Sequence, residues 1–246
     1  MSQEHCSLLR SVLYTEVMNA GRTARDRARA ELTREIKDEA RRQLAVDGAQ
    51  KLSLRSVARA LGMVSSALYR YFPSRDDLLT ALIIDAYNAM GDAADEAAVG
   101  ESPRERWLSA CHAIRAWARA NPHEYALIYG SPIPGYRAPQ DTVAAAARVP
   151  LLLLKTLTEA EPRPAFEAPP LTDGLADQLE RLDVEPKPAP ETLNRALMVW
   201  SQLFGMLSFE LFGQFVGSVD PADEFFAHAV GQMADFVGLA GEVGDR

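Results

Sequence analysis

The sequence predicts an all-α protein in two parts, and three observations lead there. Apolar residues recur at intervals of three to four along most segments, which is the period of a helix with one buried face. Serines, prolines and glycines fall where helices should start and stop. Charge is divided: Arg22 to Arg75 holds 13 Lys/Arg against 6 Asp/Glu, whereas 76–246 holds 12 against 26. The formal net charge of −8 therefore conceals a small basic part joined to a large acidic one. Such asymmetry permits the basic part to meet nucleic acid while the rest avoids phosphate.

Residues 1–21 read as a weakly amphipathic, frayed extension with Leu8, Leu9, Val12 and Leu13 on one stripe. Arg22, Arg25, Arg27 and Arg29 follow as a short basic arm, either a solvated face or a contact to DNA backbone. The expected parts are thus an extension and arm over 1–28, a three-helix unit over 29–75 and a larger unit over 76–246.

A first helix is predicted over 29–46, with Leu32, Ile36, Ala40 and Leu44 four apart and Gly48 as its stop. A short helix opens at Ser53, carries Val57, Ala58 and Leu61 inward and ends at Gly62. A third covers 65–71, with Leu68 and Phe72 inward. Ser74, with Asp77 three residues on, caps a helix reaching about Val99. Ser102-Pro103-Arg104-Glu105 repeats that logic for a helix over 102–120, stopped by Asn121-Pro122. Helices over 123–129, 140–160 and 171–182 are separated by proline-rich stretches at 130–139 and 161–170, which rim a pocket or merely connect. Two long helices close the chain, 191–216 and 221–240, the second with Asp223 in a capping-box position.

The segment with the most specific pattern is SLRSVARALGMVSSALYRYFPSRDDLL, residues 53–79. Two short amphipathic helices joined through Gly62 are what a helix-turn-helix requires, the second entering a major groove by its N-terminal half. Bulk at that end would hold the backbone off the groove, and Ser65, Ser66 and Ala67 are small. Tyr69 and Arg70 face outward or along the groove, and Tyr71 can bring its hydroxyl to a phosphate. Arg55 and Arg75 are further phosphate or base candidates. Most protein–DNA hydrogen bonds go to backbone, so each arginine more often positions than specifies. A two-helix turn in an all-helical protein-interaction module remains the alternative.

The stretch from about Arg29 to Leu82 resembles the N-terminal domain of the TetR family of bacterial transcriptional regulators. The resemblance rests on Gly48, Ser53, Ala58 to Gly62, Leu68-Tyr69, Phe72 and Ser74 to Leu79. It implies DNA contacts at Ser53, Arg55, Ser65, Ala67, Tyr69, Tyr71 and Arg75, with Tyr69 the main phosphate contact and Ser65 and Ala67 facing the groove. Arg70 is pointed away from the bases by that pattern and is kept as a phosphate contact. The family often carries glycine where this chain has Ser66 or Ala67, and histidine at the place of Tyr71.

The resemblance further implies a C-terminal domain that dimerises and often holds a small-molecule effector. Segment 121–136 and the later W..LFG resemble a subfamily with a W-H-G signature, here with Phe204 in place of the histidine. Pocket candidates are Trp117, Tyr125, Tyr129, Tyr136, Trp200 and Phe204, with Arg115, Arg119, His123 or Glu210 as a polar anchor. Leu207 and Leu211 on one long helix, and Phe226, Val230 and Met233 on the next, are the dimerisation candidates, with monomer core as the other reading. Gly205 and Gly213 each cost about 1 kcal/mol in a helix interior, and close approach of another helix is one reason to tolerate that.

Catalysis and metal binding have no constellation behind them. Cys111 and His112 are neighbours that point in different directions on a helix. The histidines at 5, 112, 123 and 228 have no ligand spacing, and two cysteines make no scaffold. No cofactor is expected, and the absence of a leader or a 20-residue apolar run makes a cytoplasmic protein the default. The expected function is that of a sequence-specific DNA-binding regulator, a ligand-responsive repressor acting on a double-stranded operator as a homodimer. A DNA-binding dimer without an effector is the nearer alternative.

Overall fold

A computed structural model describes the backbone of residues 3–160, 162–164, 167–185 and 187–239, and the side chains of those from 24 onward. Among the described residues every regular element is helical. The chain forms two compact units, 1–81 and 82–246. The expected boundary at 28/29 falls inside a helix, and that at 75/76 falls six residues short, because Leu78 and Leu79 at the start of the fourth helix are fully buried.

In the first unit α1 runs from Gln3 to Asp47, so the segment expected to fray and the basic arm are both helical. The side chains of Leu8, Leu9, Val12, Leu13 and Arg22 lie outside the described residues. Ile36, Ala40 and Leu44 are buried as the four-residue spacing requires. A single 3-10 turn at Ala49–Lys51 leads into α2 (Leu54–Ala60) and then α3 (Ser65–Leu68). Leu54, Val57 and Ala58 of α2 and Leu68 and Phe72 are buried, while Leu61 is only half-buried.

In the acidic unit α5 (Pro103–Ala120) is the central helix. It packs on α6 (Pro122–Tyr129), α7 (Thr142–Thr158), α9 (Pro190–Leu211) and α10 (Asp223–Val237), while α8 (Asp173–Glu180) packs on α9. Trp107, Cys111, Ile114 and Ala118 of α5 join Leu203, Leu207, Phe226, Val230 and Met233 in one core. Met90 and Ala94, from the later part of α4 (Arg75–Ala97), belong to it as well.

The predicted caps hold unevenly. At α5 the Ser102 hydroxyl accepts from the Glu105 N–H, and the Glu105 carboxylate accepts from the backbone N–H groups of Ser102 and Glu101. Those backbone bonds hold the Glu105 carboxyl below its ordinary value. A carboxyl lowered in the folded state stabilises above its unfolded value and loses that contribution as pH falls. Glu105→Gln is therefore expected to flatten the acid limb of a stability-against-pH curve measured by urea unfolding. Asp223, expected as a cap, instead pairs with Arg115 and Arg119.

The last two helices depart from expectation at their junction. α9 ends at Leu211 because Gly213 adopts φ 79°, left-handed and costly for any residue with a Cβ. The Gln214 N–H then bonds the Phe209 carbonyl and the Gly213 N–H that of Glu210, satisfying the last carbonyls in a Schellman closure. Gly213 thus terminates the helix and does not interrupt it.

Candidate nucleic-acid interface and ligand cavities

The geometry of the first unit is set by the turn between α2 and α3. Gly62 has φ 66°, and the bond from the Met63 N–H to the Ala58 carbonyl (2.8 Å) closes α2 behind it. A side chain at Gly62 would meet no atom within 4 Å, so the cost of a substitution there is backbone strain alone. Gly62→Val forces a β-branched residue into that region. It is expected to cost about 1–2 kcal/mol of stability, read as a lowered urea midpoint of a first-unit probe.

α3 is shorter than predicted. After Leu68 the chain tightens into bonds three residues apart, from the N–H of Arg70 to Ala67 and of Tyr71 to Leu68. Leu68 and Phe72 are drawn inward by this turn, and Tyr69 is left 42% exposed beside an exposed Arg70. Ser66 is exposed, with Ser65 and Ala67 half-buried at the same end. Val64, the residue just before α3, is 70% exposed and was missed from the sequence because an apolar residue in a turn reads as core.

Around this end the other candidates divide into free and committed groups. Arg55 is exposed on α2. Ser53 has the extended backbone of an N-cap, but its hydroxyl makes no capping bond. Arg75 is committed: Nε donates to the Leu52 carbonyl (3.1 Å) and Nη2 to that of Ala49 (2.8 Å), while Nη1 lies 3.6 Å from Asp76. It holds the loop that delivers Ser53. The Arg29 guanidinium lies 5.3 Å over the Tyr71 ring, joining the end of the basic arm to this cluster. Ser74 caps α4 as expected, accepting from the Asp77 N–H at 3.1 Å.

In the acidic unit the predicted pocket residues separate into wall and core. A cavity of about 600 Å³ is walled by Tyr87, Tyr129, Tyr136 and Trp200 together with much of the loop 130–139, which is therefore a rim. A second, of about 240 Å³, is walled almost wholly by aliphatic side chains. Trp200 and Pro150 belong to both walls. Tyr125 is core: its hydroxyl donates to the Phe204 carbonyl at 2.9 Å and lies 2.9 Å from the Ser208 hydroxyl. Phe204 stacks on Tyr129 with ring centroids 4.2 Å apart, and Trp117 packs against the core without lining either cavity.

The proposed anchors are also elsewhere. Arg115 grips Glu210 through two bonds of 2.8 and 2.7 Å and Asp223 through one of 2.8 Å. Arg119 joins through Asp223 at 3.0 Å, and neither these residues nor His123 reach a cavity wall. Four of the five dimerisation candidates, Leu207, Phe226, Val230 and Met233, are buried within their own chain, and Leu211 is half-buried. The exposed apolar face lies opposite, at Leu197, Met198, Phe209 and Phe212 with Phe225 of α10.

Cys111 is fully buried, which pushes its thiol up, and the His112 ring meets Phe226 edge-on at 5.3 Å. Among the described residues no cluster of His, Cys, Asp or Glu could hold a metal ion, and no helix is long and apolar enough to cross a membrane.

A basic unit presenting a short helix behind a left-handed glycine turn, followed by a helical unit that holds two partly open cavities, is the architecture of a helix-turn-helix transcriptional regulator. Residues 36–82 match the family model described as bacterial regulatory proteins, tetR family, and residues 107–233 match that of the tetracyclin repressor-like C-terminal domain. The chain is 39% identical over 199 residues to the HTH-type transcriptional regulator Rv1816 of Mycobacterium tuberculosis (strain ATCC 25618 / H37Rv), across 76% of this chain and 84% of that one. The same figures relate it to the HTH-type transcriptional regulator Mb1846 of Mycobacterium bovis. The crystal structure of SCO4313, described as a regulatory protein, is similar with a TM-score of 0.72 and 36% identity, over 85% of this chain and 97% of that one. This chain belongs to the TetR family of bacterial transcriptional regulators.

Proposed function

We propose that the chain is a homodimeric repressor that binds a two-fold symmetric operator and leaves it when a small molecule fills the acidic unit. The observation that carries this reading is the partly exposed start of α3, small and flanked by Val64, Tyr69 and Arg70 in the one basic part of the sequence. Tyr69 and Arg70 serve as phosphate contacts, with Ser53, Arg55 and Tyr71 beside them. Ser65, Ser66 and Ala67 face base edges, and Val64 suits a thymine methyl. Arg75 acts by holding the loop before Ser53. A regulator of this kind works in the cytoplasm.

Two recognition helices must meet successive major grooves about 34 Å apart, so a ligand that favours any other spacing releases the operator. The exposed apolar face of α9 and α10 supports the dimer, and the two cavities support the effector. Binding to a random duplex library at physiological salt, followed by sequencing, is expected to enrich a two-fold symmetric motif. Affinity should fall steeply with salt while the preference persists. Absence of any enriched motif from well-folded protein would remove the reading.

The contact roles are separable. Tyr69→Phe deletes one hydroxyl from a phosphate and is expected to weaken binding about 10-fold on every sequence alike. Ser65→Ala should instead reorder preference among sequences. Equal, sequence-blind losses from both changes in a competition assay would overturn the assignment.

A further inference from the structure

The walls of the two cavities say what kind of molecule they accept. Among the described residues neither wall contains a Lys, Arg, His, Asp or Glu. Arg148, between wall residues Ala147 and Pro150, is turned away to Asp92 at 2.8 Å, Asp95 at 2.6 Å and the Asn88 carbonyl at 2.9 Å. The phenols of Tyr87 and Tyr129 are pushed up by burial, so both stay neutral. A charged group stripped of water here would find no counter-ion, a large penalty for an unpaired charge.

Polarity is also graded between the two. Tyr87, Tyr129, Tyr136 and Ser131 are among the residues lining the larger cavity, and Leu153, Leu157, Leu193, Val199 and Val237 make the smaller one aliphatic. A volume of about 600 Å³ is that of a small-molecule site, whereas 240 Å³ suits one end of such a molecule. Trp200 stands in both walls, and its Nε1–H is buried without a hydrogen-bond partner among the described residues. Buried donors are rarely left so, and in a wall shared by two cavities a small turn of the ring would carry this one to a ligand acceptor.

Resting on the effector reading above, we infer that the ligand is an uncharged amphipathic molecule whose neutral oxygen acceptor, a ketone, ester or carboxamide, takes the hydrogen bond of Trp200 Nε1–H. Its alkyl part lies against the leucines of the smaller cavity. Its polar part lies among the tyrosines of the larger one. Carboxylates, phosphates and amines are excluded by walls that offer them no partner.

Isothermal titration calorimetry of the full chain at neutral pH, with probes of one chain length, tests this. Methyl octanoate and octanamide are expected to bind at least about 10-fold more tightly than octanoate and octylamine. Trp200→Phe should weaken the ester about 5- to 10-fold while leaving octane, which has no acceptor, within about 2-fold. Ala147→Phe, which puts a ring into the larger cavity, should abolish ester binding and so places the site. Octanoate or octylamine binding as tightly as the ester would overturn the inference. So would equal losses of ester and octane in Trp200→Phe, or no binding by any probe. Ester binding that leaves the selected operator fully bound would instead overturn the effector role and leave the ligand class standing.

Discussion

Arg115→Met is expected to lower the stability of the acidic unit by about 3 kcal/mol, seen as a fall of roughly 6–12 °C in melting temperature. Arg115 reaches from α5 to α9 and α10, and its side chain is 9% exposed, against 14% for Glu210. Both Glu210 oxygens accept from it, and its guanidinium lies 4.8 Å over the Phe226 ring. Removing the cation leaves Glu210 in a nearly dry site where, among the described residues, Arg119 is the remaining cation paired with it, at 3.7 Å. The loss comes mostly from the carboxylate left behind, so Arg115→Met combined with Glu210→Met should recover most of it.

The same pair of variants separates charge from packing through pH. Bonding to Arg115 holds the Asp223 carboxyl below its ordinary value. Its contribution is therefore present above the unfolded value and lost as pH falls through the folded one, so the wild-type chain loses stability toward acid on this account. In Arg115→Met that part of the acid slope should shrink. An unchanged slope and an unchanged melting temperature together would mean that the network is a surface ornament.

The fold was legible because its signals are local. Ser102, Pro103 and Glu105 are enough to start α5, and the four-residue spacing of Ile36, Ala40 and Leu44 is enough to orient α1. The helix-turn-helix was legible for the same reason, since Gly62 and the small residues after it form a local pattern. Which aromatics wall a cavity, and which side of α9 is left exposed, were not. Tyr125 and Tyr129 sit four residues apart on α6, yet one hydroxyl bonds the Phe204 carbonyl while the other residue walls a cavity. Which it would be depends on helices some 80 positions away. α9 carries apolar residues on both sides, so periodicity could not decide between Leu203 and Leu207, which face the core, and Met198 and Phe209, which face solvent. The bracing role of Arg75 was not legible, because its carbonyl partners at Ala49 and Leu52 are more than twenty residues earlier.

That exposed side of α9 leads to the second large effect. Phe209 is 54% exposed, and edge-on contacts link it to Phe215 at 5.8 Å and Phe215 to Phe225 at 5.4 Å. The row continues the stripe of Leu197 and Met198, and an exposed apolar row of this length is the kind of surface the proposed homodimer would bury. Gly205 lies in the same stripe, and a Cβ there would meet nothing within 4 Å of its own chain. Nothing among the described residues of one chain therefore accounts for the glycine, whereas a second helix packed against it would. If the proposed homodimer uses this face, Phe209→Glu puts two carboxylates into a dry interface and gives monomers by light scattering. It should lower operator affinity by about 100-fold or more, because the two half-sites are no longer engaged by one particle. Gly205→Leu sharpens the test, since it should raise monomer stability by up to about 1 kcal/mol through helix propensity while blocking the same approach. A more stable chain that no longer dimerises and no longer holds the operator fits only an interface at this face. A Phe209→Glu chain that remains dimeric would place the interface elsewhere.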